Sequence, residues 1–128
     1  ILARPGAAAD LRVLLVGHVD VVEGEAADFR PRIDGERLYG RGAGDMKGQV
    51  ALMTELFRSF LERHPGAPLG LMITSDEESG GRHGVGYLLN EIGCRADLAI
   101  LPDSGSLNEI VTMEKGILAG RILSRGRA

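Results

Sequence analysis

At 128 residues, with 44% apolar and 26% charged side chains, the chain has the composition of one globular domain, which excludes wholesale disorder and two domains of ordinary size. Its 15 basic and 18 acidic residues are interspersed to a formal net charge of −3, so no basic stripe exists to track phosphates and no nucleic-acid partner is expected. Cys94 is the one cysteine, and no apolar stretch reaches the roughly 18 to 20 residues that span a bilayer. No disulfide, membrane or secretion signal is therefore expected, and cytoplasmic residence is the default.

Ile1 to Ala3 reads as a short strand, turned by the small-residue run Pro5 to Asp10 into a longer strand, Leu11 to Val16, with which it is expected to pair. Val13-Leu14-Leu15-Val16 is uninterrupted and apolar, the mark of a strand buried on both faces of a parallel sheet. Residues 21 to 31 are acidic and loop-like. Arg32 to Tyr39 alternates around Asp34-Gly35, a hairpin signal, and the ribbon is placed at an edge. The glycine-rich turn from Gly40 to Gly48 feeds a helix with Val50, Met53, Leu56, Phe57, Phe60 and Leu61 at helical spacing, ended by His64-Pro65-Gly66. Leu69 to Thr74 is a second core strand. A helix from about His83 to Ile92 follows, closed by Gly93, and Asp97 to Leu101 is a third core strand ending at Pro102-Asp103. Glu109 to Met113 and Ile117 to Ser124 read as two further strands joined at Glu114-Lys115-Gly116. The order strand, helix, strand, helix, strand predicts an α/β domain with a mainly parallel sheet covered by helices.

The chemistry gathers at the strand ends. His18 and Asp20 follow the first core strand at the carboxyl edge, where open α/β sheets keep their sites. An imidazole beside a carboxylate is a metal-ligand pattern, with Asp20 accepting the second ring N–H and fixing the tautomer. Asp45 stands at a helix start, Glu77 and Glu78 after the second core strand, and Asp103 after the third. In a parallel sheet those points are neighbours. Carboxylates crowded beside one histidine repel each other unless a divalent cation neutralises them, and mixed imidazole and carboxylate ligation suits zinc, with manganese or cobalt as substitutes. Adjacent glutamates can divide labour, one coordinating while the other takes a proton from activated water. Each residue also has an ordinary structural reading: Asp45 as an N-cap, Glu77 and Glu78 as solvated loop charges, Asp103 as a turn aspartate. Those readings would all have to coincide at strand carboxyl ends.

The segments GHVDVV, LYGRGAGDMKGQVA, TSDEESGG and LPDSG, in this order and spacing, resemble the dizinc metallopeptidase superfamily of aminoacylases, acetylornithine deacetylase, succinyl-diaminopimelate desuccinylase and glutamate carboxypeptidases. The resemblance spans nearly the whole chain. It implies a zinc-exopeptidase-like fold in which His18 and Asp103 ligate one zinc, Glu78 the other, and Asp45 bridges both. Glu77 becomes the general base and Asp20 supports His18. The implied reaction is hydrolysis of the amide bond of a small N-acylated amino acid or short peptide by water activated between two zinc ions. Family members also carry a last histidine ligand far downstream and a lid domain that contacts the substrate carboxylate and usually dimerises. Neither is present, and His64 and His83 read as surface residues. Ile1 and Ala128 look like cut ends, so residues 1–128 are expected to be part of a catalytic domain, binding one metal better than two, with any homodimer formed through the missing lid. Two readings compete: a catalytically impaired metal-binding or interaction fragment of the same family, and a nucleotide-binding loop at residues 40 to 48. The second fails on spacing, because neither phosphate-loop pattern fits and Asp45 would oppose a phosphate.

Overall fold

In the computed structural model, which describes residues 1–4, 11–103, 108–113 and 126, the apolar run Val13 to Val16 lies in an interior strand of the main sheet. Strands β1 (Leu2–Ala3), β2 (Leu11–His18), β5 (Leu69–Thr74) and β6 (Ala96–Ile100) form one sheet in the order β1-β5-β2-β6, and β3 (Arg32–Asp34) with β4 (Arg37–Tyr39) forms a separate ribbon. β2 runs parallel to both β5 and β6, with Val16 opposite Met72, His18 opposite Thr74 and Leu15 opposite Ile100. This places the carboxyl ends of three strands side by side. The chain thus has an α/β arrangement with a mainly parallel sheet flanked by helices, as its pattern predicted.

Alternation along β2 divides the core in two. Leu14 and Val16 pack with Leu11, Met72 and Cys94 beneath helix α2 (Val85–Asn90), which contributes Val85 and Leu88. Leu15 packs with Leu71, Met46, Val50 and Met53, and Val13 and Phe57 join them beneath helix α1 (Gly48–Arg63). The apolar stripe of α1 is narrower than its sequence suggests: Val50 and Met53 are buried and Phe57 packs against them, whereas Leu56 is exposed. The helix ends where predicted, the His64 N–H closing on the Phe60 carbonyl one residue before Pro65. Gly17 is required by a close approach, since a Cβ there would lie 2.8 Å from both Met53 Cε and Val50 Cγ2. The bare backbone lets the first turn of α1 sit directly on the sheet end.

Several expectations are corrected. β1 pairs antiparallel with β5, not with the strand that follows it, because both edges of β2 are already taken by its parallel partners. α2 covers only Val85–Asn90. Upstream, the Asp76 carboxylate accepts the N–H groups of His83 and Gly84 and holds them in a turn; downstream, the Arg95 guanidinium donates to the carbonyls of Leu89 and Cys94. Glu109 to Met113 is not a strand, and Ile110 and Met113 stay about nine-tenths exposed at 91% and 89%, with no buried face to pay for ordering. The hairpin stands off the main sheet, not along its edge, and its two-residue loop is Gly35-Glu36, where Gly35 takes φ 58°. The Pro5 to Asp10 turn and the Ile117 to Ser124 strand lie outside the described residues.

Candidate metal centre

His18 ends β2, and its side chain is 3% exposed. The ladder to β5 continues one step past it through the Val19 N–H to the Thr74 carbonyl at 2.9 Å, which fixes the ring beside the β5 carboxyl end. Nδ1 lies 3.1 Å from the Asp20 backbone oxygen and 3.4 Å from Asp20 Oδ1. Both partners are acceptors, so the proton belongs on Nδ1 and the neutral ring turns the lone pair of Nε2 outward. Nε2 faces Asp45 Oδ1 at 3.1 Å, Asp103 Oδ1 at 3.8 Å and Glu77 Oε2 at 3.9 Å. It is buried and makes no hydrogen bond. A lone pair confronting carboxylate oxygens at these distances is repulsive unless a proton or a cation stands between them.

Each acidic group arrives by a different local device. Asp45 lies in the tight Ala43–Lys47 segment before α1, anchored by buried Met46 and by the Lys47 N–H to the Gly42 carbonyl at 2.8 Å; the Asp45–Met46 peptide bond is cis. Glu77 and Glu78 occupy a single 3₁₀ turn, Glu77–Ser79, after β5. Asp20 reaches across to that turn, its Oδ2 accepting the Glu78 N–H at 2.9 Å. One carboxylate therefore addresses both the imidazole and the glutamate turn. Asp103 follows the end of β6. Among the described residues, one atom each from His18, Asp45 and Glu78 lie within 4.8 Å of one another, close enough to share one ion. Asp103 and Glu77 flank that set. The side chains of Asp45, Glu77 and Asp103 are 64%, 50% and 38% exposed, so the group opens to solvent on the side away from the imidazole.

The electrostatics follow from this crowding. Burial pulls the His18 pKa down, but the Asp20 carbonyl and the carboxylates of Glu77, Asp103 and Asp20 outweigh it and leave the value raised. Burial raises Glu77, helped by Asp103, Glu78 and Asp20 against the opposing pull of His18. Burial and the neighbouring Asp45 raise Asp103. Asp20 is lowered: burial acts against it, but the backbone N–H groups of Glu78, Asp20 and Glu77 prevail. A nitrogen lone pair with several carboxylates that resist ionising together fits a divalent cation, and the donor set suits zinc, cobalt or manganese.

Asp76 is the organising residue that its sequence context hid. It precedes the two glutamates as a third acid in a row, yet Oδ2 accepts the N–H groups of His83 at 2.7 Å and Gly84 at 2.9 Å. Its backbone carbonyl accepts those of Ser79 and Gly81. The useful signal was the glycine-rich run after it, which needs an acceptor for its free N–H groups. His64 and His83 are exposed and join no possible metal-ligand group among the described residues, and His64 lies against Phe60 with ring centroids 4.7 Å apart.

Comparison with known proteins gives the same direction. The sequence matches peptidase family M20/M25/M40 over residues 14–119. It is 47% identical over 90 aligned residues to a succinyl-diaminopimelate desuccinylase of Methylococcus capsulatus, covering 64% of this chain and 24% of that protein. Proteins of the same name from Xanthomonas campestris pv. campestris and Methylorubrum populi are 37% and 41% identical, covering 97% and 98% of this chain and 37% and 36% of their own lengths. The chain thus spans about a third or less of the curated relatives it matches. With a match across most of its length and the acidic cluster assembled at the strand ends, the chain belongs to peptidase family M20/M25/M40.

Proposed function

We propose that residues 1–128 are part of the catalytic domain of a metal-dependent amidohydrolase, and that they supply its metal-binding and proton-handling groups. The observation that carries this reading is the buried, unpaired Nε2 of His18 facing Asp45, Asp103 and Glu77 within 3.9 Å, with Glu78 closing the set. His18 Nε2, Asp45 and Glu78 would hold one ion; Asp103, beside Asp45, would complete that site or serve a second ion shared through Asp45. A bound divalent ion supplies Lewis acidity at the scissile amide and toward water. Glu77 lies outside the three that close on one point, which leaves its Oε2 to accept the proton of the attacking water and return it to the leaving nitrogen. Asp20 is a positioning residue, orienting the imidazole and the Glu78 backbone together. The relatives' names point to an N-acyl amino acid, an N-succinyl one foremost, as substrate. Zinc is the proposed resident ion. Among the described residues no helix is long and apolar enough to cross a membrane.

Because a single three-ligand group is gathered among the described residues, one tight ion per chain is expected, and slow turnover or none without further ligands. Calorimetric zinc titration tests this. The expected result is one tight site, weakened in His18→Ala by more than about 100-fold, the upper end of what losing a mere supporting partner produces. Glu77→Gln should keep the zinc affinity and abolish any hydrolysis of N-acetyl or N-succinyl amino acids. Two equally tight sites would contradict the single-ion reading, and turnover unchanged by Glu77→Gln would remove Glu77 from its role.

A further inference from the structure

Beside the acidic cluster lies an open cavity of about 400 Å³ that Asp45 and Glu78 share with three arginines, Arg30, Arg32 and Arg41. The arginines are held in different ways. Arg41 donates to Asp28 Oδ2 at 3.3 Å, and its N–H donates to the Asp28 carbonyl at 2.8 Å. The same Asp28 Oδ2 accepts the Glu25 N–H at 3.0 Å, so one aspartate folds the loop and anchors the guanidinium. Arg32 lies over the Tyr39 ring, 4.0 Å from its centroid, and pairs with Asp34 Oδ2 at 3.6 Å. The Arg30 guanidinium has no ion pair or hydrogen bond among the described residues. Its backbone is nonetheless fixed, since its N–H donates to the Ala27 carbonyl at 3.2 Å.

Counting charges decides what such a cavity takes. Three guanidiniums face the three carboxylates of Asp28, Asp45 and Glu78, so the metal-free lining is neutral. Asp28 pairs with Arg41, Asp34 just outside the lining pairs with Arg32, and an ion on Asp45 and Glu78 would cancel their charge. The lining then turns cationic, with Arg30 unpaired at its wall, and guanidinium forks match carboxylates in shape as well as sign. We propose that this cavity is a subsite for a free carboxylate of the substrate, with Arg30 as its main donor and Arg41 and Arg32 as its pre-set neighbours. The inference rests on the metal-dependent reading of the adjacent site, because the ion is what tips the balance of charge. A carboxylate can come from the acyl chain or from the amino acid, and separate probes distinguish the two.

The test is an NMR titration of the full chain, following the His18 ring signals during zinc addition and the arginine Nε–H signals during probe addition. N-succinylglycinamide carries only the acyl-chain carboxylate, N-acetylglycine only the amino-acid carboxylate, and N-acetylglycinamide neither. At least one charged probe should shift the Arg30 signal saturably in the zinc-loaded protein, and the one that does identifies the source. The neutral probe should not. Arg30→Gln should weaken binding of that probe by about tenfold while leaving zinc affinity unchanged. Equal binding by Arg30→Gln, a silent Arg30 signal, or an equal response to the neutral probe overturns the subsite. Zinc that moves the His18 signals while neither charged probe moves Arg30 keeps the metal reading and refutes the subsite; silent His18 signals with saturable Arg30 shifts refute the metal reading and, with it, the claim that an ion tips the charge of the cavity.

Discussion

Replacing Asp20 with alanine leaves every proposed ligand in the sequence but withdraws two contacts, the 2.9 Å hydrogen bond from the Glu78 N–H to Oδ2 and the 3.4 Å approach of Oδ1 to His18 Nδ1. The Asp20 backbone carbonyl, 3.1 Å from Nδ1, survives the change, so the imidazole keeps one acceptor and its tautomer. The loss therefore falls mainly on the Glu77–Ser79 turn. A hydrogen bond to a charged acceptor contributes about 1.5–3 kcal/mol, and Asp20 is only 18% exposed, so little of that is screened. Zinc affinity should fall about 10- to 100-fold, equivalent to about 1.4–2.7 kcal/mol, without being abolished. Asp20→Asn, which retains an oxygen that can accept the Glu78 N–H, should lose less. Competition against a chromophoric chelator measures the affinities, with circular dichroism confirming that each variant folds. Affinity within about twofold of the parent in folded Asp20→Ala would refute the positioning argument. A loss as complete as that of His18→Ala would refute it differently, by making Asp20 itself a ligand.

Gly17→Ala tests how the sheet and α1 meet. Its Cβ would press on Val50 Cγ2 and Met53 Cε at 2.8 Å, so the start of α1 must shift, at a cost of about 1–3 kcal/mol of stability, measurable by chemical denaturation. Zinc affinity should drop with it, because Asp45 immediately precedes that helix turn; unchanged stability and affinity would mean that the helix start does not place the ligand. The metal-free protein should also lose stability as pH rises. His18, raised above its ordinary 6.5, contributes stability that is complete below that value and lost as pH climbs through its folded pKa. Glu77 and Asp103, raised above 4.5 and 3.8, hold protons longer in the folded state and act in the same direction. Asp20, lowered, opposes them only below 3.8. Melting temperature should therefore fall between about pH 5 and 8 without metal, and zinc should oppose the fall by replacing the lost protons. A metal-free melting temperature that rises over this range would contradict the crowding of carboxylates around His18.

The three parallel strands were legible in the sequence because each is a mainly apolar run bounded by turn residues, although the third is not the core strand expected: β6 is mostly exposed, with Leu98 at 55% and Ile100 at 44%. Leu11 to Val16, Leu69 to Thr74 and the run after Arg95 appear within two residues of their observed bounds. Since chemistry-bearing residues follow each run, their convergence at one sheet edge was legible too. Pairing was not: β1 is two residues long and carries no signal that distinguishes β2 from β5 as its partner. The bounds of α2 were hidden because they are set by the Asp76 and Arg95 side chains, which act on backbone groups through distances no periodicity records. The same limit applied to the site. Sequence order brings five acids near His18, but which of them share a point depends on how closely α1 approaches Gly17 and how Asp20 ties down the Glu78 turn.

The ribbon of β3 and β4 shares no ladder with the main sheet, yet it and the segment leading to it supply Arg30, Arg32 and Tyr39 to the cavity wall, while Asp45 and Glu78 are placed by elements seated on that sheet. Floor and wall are thus built from separate pieces of chain. Lengthening, shortening or recharging the stretch between Val22 and Arg32 can alter which molecules are admitted without disturbing the groups beneath, so selectivity in such a scaffold is free to diverge faster than the chemistry it serves.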